Sequence, residues 1–169
     1  DMIFCRTSNE ISKSVKDKIS LFCSVSPSHV IEASDVKSIY EVPLLFHKQN
    51  VEDLILNDLK IKTNKSNINN LEKFIYRFKN PQESVDIALC GKYTELPDAY
   101  KSVLEAFIHS GVENNAKVSI KWINTEKLES SDSLKNELNN IHGILLLPGF
   151  GDRGIKGKIE AAKYSRKFK

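Results

Sequence analysis

Hydrophobic positions fall into two rhythms along the 169-residue chain, separated by a polar stretch at 60–70. In the first part, the apolar run at 2–6 predicts a short strand ending at Arg6. Ser8 or Asn9 then offers a cap for a helix with Ile11, Val15, Ile19 and Phe22 on one face, spaced by three or four. Residues 29–32 predict a second short strand, and 38–43 a short segment closed by Pro43. Val51, Leu54, Ile55 and Leu59 predict one more helix. The stretch KIKTNKSNINN at 60–70 has too few apolar positions to hold a core and reads as a linker. A short helix carrying Leu71, Phe74, Ile75 and Phe78 follows, and Asn80-Pro81 stops it.

Beyond it the rhythm is strand, helix, strand, helix, strand, helix. Residues 85–90, apolar except for Asp86, predict a buried strand running into Gly91. Asp98 is placed to cap a helix with Tyr100, Val103, Leu104, Phe107 and Ile108 on its face and Gly111 at its end. Residues 117–123 alternate like a strand, 133–138 suit a short helix, and 143–147 are a third apolar strand. PGFGDRG then leads into a last helix with Ile155, Ile159 and Ala162. Such alternation predicts an α/β domain with a parallel sheet and right-handed crossovers.

Composition narrows the picture without deciding it. The hydrophobic share is 40%, the charged share 28% and the net charge +3, with lysines and acids interspersed. No basic stripe of the kind a nucleic-acid binder needs is present. The three cysteines (Cys5, Cys23, Cys90) are far apart, as are His29, His47, His109 and His142. This spacing suits neither a disulfide framework nor a zinc site and points to a reducing, cytoplasmic setting. No apolar run reaches the roughly 18 residues of a membrane span. The chain enters a strand pattern almost at once and stops inside a helix pattern, so both ends are expected to be cuts in a longer polypeptide.

Two turns carry candidate chemistry. PGFGDRG at 148–154 lies between a strand and a helix, where open α/β sheets place ligands. Its glycines leave backbone N–H groups available to an oxyanion, although a tight turn needs glycine in any case. GKYTELPDAYKS at 91–102 sets Lys92 and Lys101 beside a helix start, a place for an anion or simply two solvated charges. Cys90, inside an apolar strand, reads as a structural thiol.

Four segments resemble the CTP synthase family. IALCGKYTELPDAYKSVLEAF at 87–107 is similar to the family's IALVGKYxxLPDAYxSVxEAL, which opens its amidotransferase domain. PGFGDRGIKGKIEAAKYSR at 148–166 is similar to PGGFGxRGxxGKIxAxxxAR. EASDVKSIYEVPLLF at 32–46 and CRTSNEISKSVKDKISLFC at 5–23 resemble the close of the synthetase domain. The resemblance implies the end of a P-loop-like amidoligase domain at 1–59, a linker with a short helix at 60–84, and the start of a flavodoxin-like amidotransferase domain at 85–169. It implies a ligase making CTP from UTP, ATP and glutamine, with Mg2+ accompanying ATP and GTP activating glutamine hydrolysis. A homotetramer, in many members stacked into filaments, is expected.

Carried over residue by residue, the resemblance gives Lys18 a contact to UTP or CTP. Arg6, Ser34, Asp35 and Val36 become ATP contacts at the adenine, although Asp35 read alone simply caps the turn before Ser38. Gly149 becomes the oxyanion donor, with Phe150, Gly151 and Arg153 shaping the glutamine and GTP entrance, and Lys101 is implied in GTP activation. Pro148 departs from the first of two family glycines and removes its N–H. The nucleotide loop is expected before the chain and the nucleophilic cysteine, in GxCxGxQ, after it. As given, the segment is therefore expected to be inactive alone, the alternative being a truncated nucleotide-sensing or interaction module.

Overall fold

The computed structural model describes residues 1–63, 67–128, 131–149 and 151–168. The chain divides into two compact units, Asp1–Ile75 and Tyr76–Lys169.

In the first unit, strands β1 (Ile3–Thr7) and β2 (Val30–Ser34) pair in parallel, from Ile3 beside Val30 to Thr7 beside Ser34. Helix α1 (Lys13–Cys23) connects them, and α2 (Val42–His47) and α3 (Val51–Asp58) follow. Val30, Ile31, Val51 and Ile75 are its buried apolar residues among those described. The Gln49 side chain accepts from the Glu32 N–H and donates to the Glu32 carbonyl, at 2.9 and 2.8 Å, doing along β2 what a neighbouring strand would do.

Three details depart from the sequence expectations. Helix α1 starts after Ser12, not after Ser8 or Asn9, because Ser8 Oγ donates to Asp35 and the Asn9 N–H is taken by Thr7 Oγ1. Its expected apolar face is only partly covered: Val15 is 44% and Phe22 84% exposed. Pro43 opens α2 instead of closing a segment, since a first-turn proline loses no helical hydrogen bond.

Helix α4 (Asn69–Lys79) runs across the division between the units. The second unit then alternates β3 (Glu83–Gly91), α5 (Lys101–Glu113), β4 (Ala116–Asn124), α6 (Ser131–Leu138), β5 (Gly143–Leu146) and α7 (Ile155–Phe168). All strand pairs are parallel in the order β4-β3-β5, as expected of a doubly wound α/β sheet. The second half of the middle strand, from Ile87, is apolar because its two faces meet two cores. Ala88 and Cys90 pack with Ile123, Leu128, Leu138 and Ala161 on one side. On the other, Leu89 packs with Tyr100 and Leu147, flanked by Phe107 and Trp122.

Two glycine and cap expectations change here. Asp98 lies in a 3₁₀ turn (Pro97–Tyr100), and α5 begins without a side-chain cap. Gly111 is inside α5, where an added Cβ would sit 2.6 Å from the Ala116 carbonyl, so its role is close approach to the next strand. The left-handed turn falls to Asn115, at φ 53°.

Candidate functional site

The chain leaves β3 for β4 on one side of the sheet and later crosses to β5 on the other. The carboxyl ends of β3 and β5 therefore flank a topological switch point, where such sheets bind ligands. Residues 147–149 and 151–154 lie in the loop there. It is fixed at its start by the Leu147 N–H, which donates to the Cys90 carbonyl at 2.9 Å. Gly151 and Gly154 have φ of 76° and 74°, which glycine adopts without the strain a Cβ would add.

Side chains from three elements tie the loop down. Lys92, just past β3, donates to the Gly151 carbonyl at 3.1 Å. Lys158, in the first turn of α7, donates to the Leu147 carbonyl at 2.8 Å. Arg153 reaches the 3₁₀ turn after β4 and binds both Glu126 carboxylate oxygens, at 2.5 and 3.0 Å. This pair holds the Glu126 carboxyl below its ordinary range and the guanidinium above its own. Between them Gly149 presents its N–H to no acceptor among the described residues, and its φ is not left-handed. An exposed N–H at the mouth of a switch point, with no acceptor among the described residues, is what a developing oxyanion requires.

Buried Thr125 anchors the far side. Its hydroxyl donates to the Gly91 carbonyl at 3.3 Å. A Cβ on Gly157 would come within 1.9 Å of the Thr125 carbonyl, and one on Gly154 within 2.5 Å of its hydroxyl. The missing side chains are what allow α7 to start against this turn. Sequence reasoning assigned no role to Thr125, Glu126, Gly157 or Lys158; the signal available for the last two was the GxxGK at 154–158 within the quoted family pattern.

The other expected positions are placed as follows. Phe150 lies outside the described residues. Lys101 opens α5 and pairs with Glu105 at 2.8 Å, which raises its pKa. Cys90 has no exposed surface, and burial pushes its thiol up to about 11, so it is not a nucleophile.

In the first unit, Arg6, Ser34 and Asp35 gather at the carboxyl ends of the paired strands. Arg6 meets Asp35 at 2.5 Å, and the Asp35 N–H donates to the Thr7 carbonyl at 3.1 Å. Val36 continues this edge, half-buried. Lys18 is exposed on α1 and makes no ion pair among the described residues. No group of three or more His, Cys, Asp or Glu side chains among the described residues could hold a metal ion. None of the described helices is long and apolar enough to cross a membrane.

Residues 1–61 match the family model described as CTP synthase N-terminus, and residues 95–169 match Glutamine amidotransferase class-I. The CTP synthase of Chloroherpeton thalassium is 46% identical over 169 residues, which is 98% of this chain and 30% of that protein. The CTP synthase of Methanocaldococcus jannaschii is 43% identical over 171 residues, 98% of this chain and 32% of its own length. The chain thus spans under a third of the curated relatives it matches. A solved Trypanosoma brucei CTPS glutaminase domain with bound acivicin aligns over 49% of this chain and 33% of its own, at 36% identity and a TM-score of 0.45.

Proposed function

Because this chain belongs to the CTP synthase family, we propose that it is the part of a glutamine-hydrolysing ligase that joins the end of the synthetase domain to the start of the amidotransferase domain. The parent enzyme transfers the glutamine amide nitrogen, as ammonia, to the O4-activated uracil of UTP at the expense of ATP. The observation that carries this reading is the order of the two family matches in a single chain, synthetase part first.

In the amidotransferase part, attack on the glutamine amide turns its carbonyl oxygen into an anion. The Gly149 N–H is the donor this chain supplies to that oxygen, and the ties of Arg153, Lys92 and Lys158 keep it from having to move during the step. Gly151 and Arg153 shape the entrance for glutamine and, with Lys101, respond to GTP. The nucleophilic cysteine comes from the portion of the relatives' length that this chain does not span; Cys90 is sealed in the sheet. In the synthetase part, Arg6 offers the face of its guanidinium to the adenine of ATP, with Ser34, Asp35 and Val36 beside it, and Lys18 offsets nucleotide charge. Mg2+ travels with the ATP phosphates: Asp35 is already held by Arg6 and Ser8, so no metal step is assigned to this chain. A cytoplasmic homotetramer able to stack into filaments completes the reading.

The test is to isolate the native polypeptide from its source cells, measure its intact mass, and assay CTP formation from UTP, ATP and glutamine. A product of CTP synthase length with glutamine-dependent CTP formation supports the proposal. A stable native product of this chain's own 19.2 kDa, inactive with all three substrates, would leave a nucleotide-sensing or interaction module instead.

A further inference from the structure

Pro148 precedes Gly149, so the residue before the oxyanion donor has a fixed φ and no N–H of its own. The peptide planes around Gly149 must then be set from outside the loop. Lys158 and Lys92 are placed to do this. One ammonium binds the Leu147 carbonyl at 2.8 Å, on the amino side of Pro148, and the other binds the Gly151 carbonyl at 3.1 Å, on the far side of Gly149. A Cβ built on Gly149 would lie 3.6 Å from Lys158 Nζ and 4.0 Å from Lys92 Cδ, so the two side chains bracket that residue closely. Charge-assisted bonds of this kind are roughly twice as strong as neutral ones. Neither lysine extends into solvent, as a long cationic side chain ordinarily does: both are half-buried along the loop.

We propose that Lys92 and Lys158 are positioning residues of the oxyanion site, a two-sided clamp that holds the backbone at Leu147 and at Gly151 so that the Gly149 N–H stays available to the substrate. Their two positive charges also lie close to where negative charge develops on the amide oxygen. The inference rests on the glutaminase reading given above, and it assigns a role to side chains that contact the loop rather than the substrate. A neighbouring cation lowers the energy of the anionic state more than that of the neutral amide, so the clamp acts on turnover more than on glutamine binding.

The experiment compares Lys92→Met, Lys158→Met and the double variant with the wild type in the whole polypeptide that carries this segment. Each single variant is expected to lower kcat for glutamine hydrolysis by on the order of 10-fold, and the pair by roughly 100-fold, with KM for glutamine within about twofold. The clamp is read separately by amide hydrogen exchange, where the Leu147 amide, which donates to the Cys90 carbonyl at the start of the loop, is expected to exchange on the order of 10-fold faster in the variants. Unchanged kcat, or unchanged exchange, overturns the proposal. Parallel losses in kcat, KM and Tm also overturn it, because they mark a merely structural role. A wild-type polypeptide that hydrolyses no glutamine while exchange still responds would sink the glutaminase reading and the catalytic part of this inference, leaving the clamp alone.

Discussion

Burial decides the chemistry of Cys90. With no exposed surface and its pKa pushed to about 11, the thiol holds almost no thiolate near neutral pH. Iodoacetamide at neutral pH is therefore expected to modify exposed Cys23 and leave Cys90 untouched until the sheet unfolds, as peptide mapping by mass spectrometry would show. Early labelling of Cys90 would mean that β3 opens in the native state. The pair of Glu126 and Arg153 is governed by charge instead. The folded pKa of Glu126 lies below its unfolded value, so its stabilising contribution is full above the ordinary glutamate range of about 4.3 and is lost as pH falls through the depressed value. Acidification from about pH 5 should release the loop, seen as movement of the Arg153 Nε–H resonance toward its unpaired position, and Glu126→Gln should abolish that pH dependence. A resonance unmoved across the range would show that the other ties suffice.

Elements here are placed by what their glycines omit. Gly157→Ala would drive a methyl into the Thr125 carbonyl, and α7 would have to lift from the turn after β4. A loss of about 1–3 kcal/mol is expected, measurable by urea unfolding of the chain followed through Trp122. An unchanged midpoint would show that the helix start has room to shift. The strands and most helices were legible in the sequence, because the apolar run at 87–90 and the helical spacing at 100–108 reflect faces that really meet a core. Element ends were less so. Ser8, Asp98 and Gly111 have the residue types of caps, but tertiary demands claimed them first: a bond to Asp35, a 3₁₀ turn, and contact with the next strand. Pro43 misled for the opposite reason, since proline breaks a helix interior and starts a helix equally well.

At the scale of the whole molecule, the exposed apolar residues of the first unit are a liability in isolation. Leu21 and Phe22, side by side at the end of α1, are 76% and 84% exposed. Adjacent exposed apolar side chains favour self-association. The 169-residue chain is expected to associate with rising concentration in sedimentation velocity, and Leu21→Lys with Phe22→Lys to keep it monomeric. Because both positions are exposed, the double variant should change stability by no more than about 1 kcal/mol; association that persists would place the sticky surface elsewhere. The glycine-rich turn at 148–154 was legible as a ligand site because its glycines and its place after a strand are written locally. Thr125 and Lys158 were not, because their meaning lies in carbonyls contributed by other parts of the chain. The packing of Thr125 against Gly154 and Gly157 also limits how this chain can change over generations. A side chain gained at either glycine collides with Thr125, buried in the turn after β4. A bulkier residue in place of Thr125 meets the start of α7. Single-step routes out of this arrangement cost stability, so drift should accumulate on the solvated helix faces while these three positions change together or stay as they are.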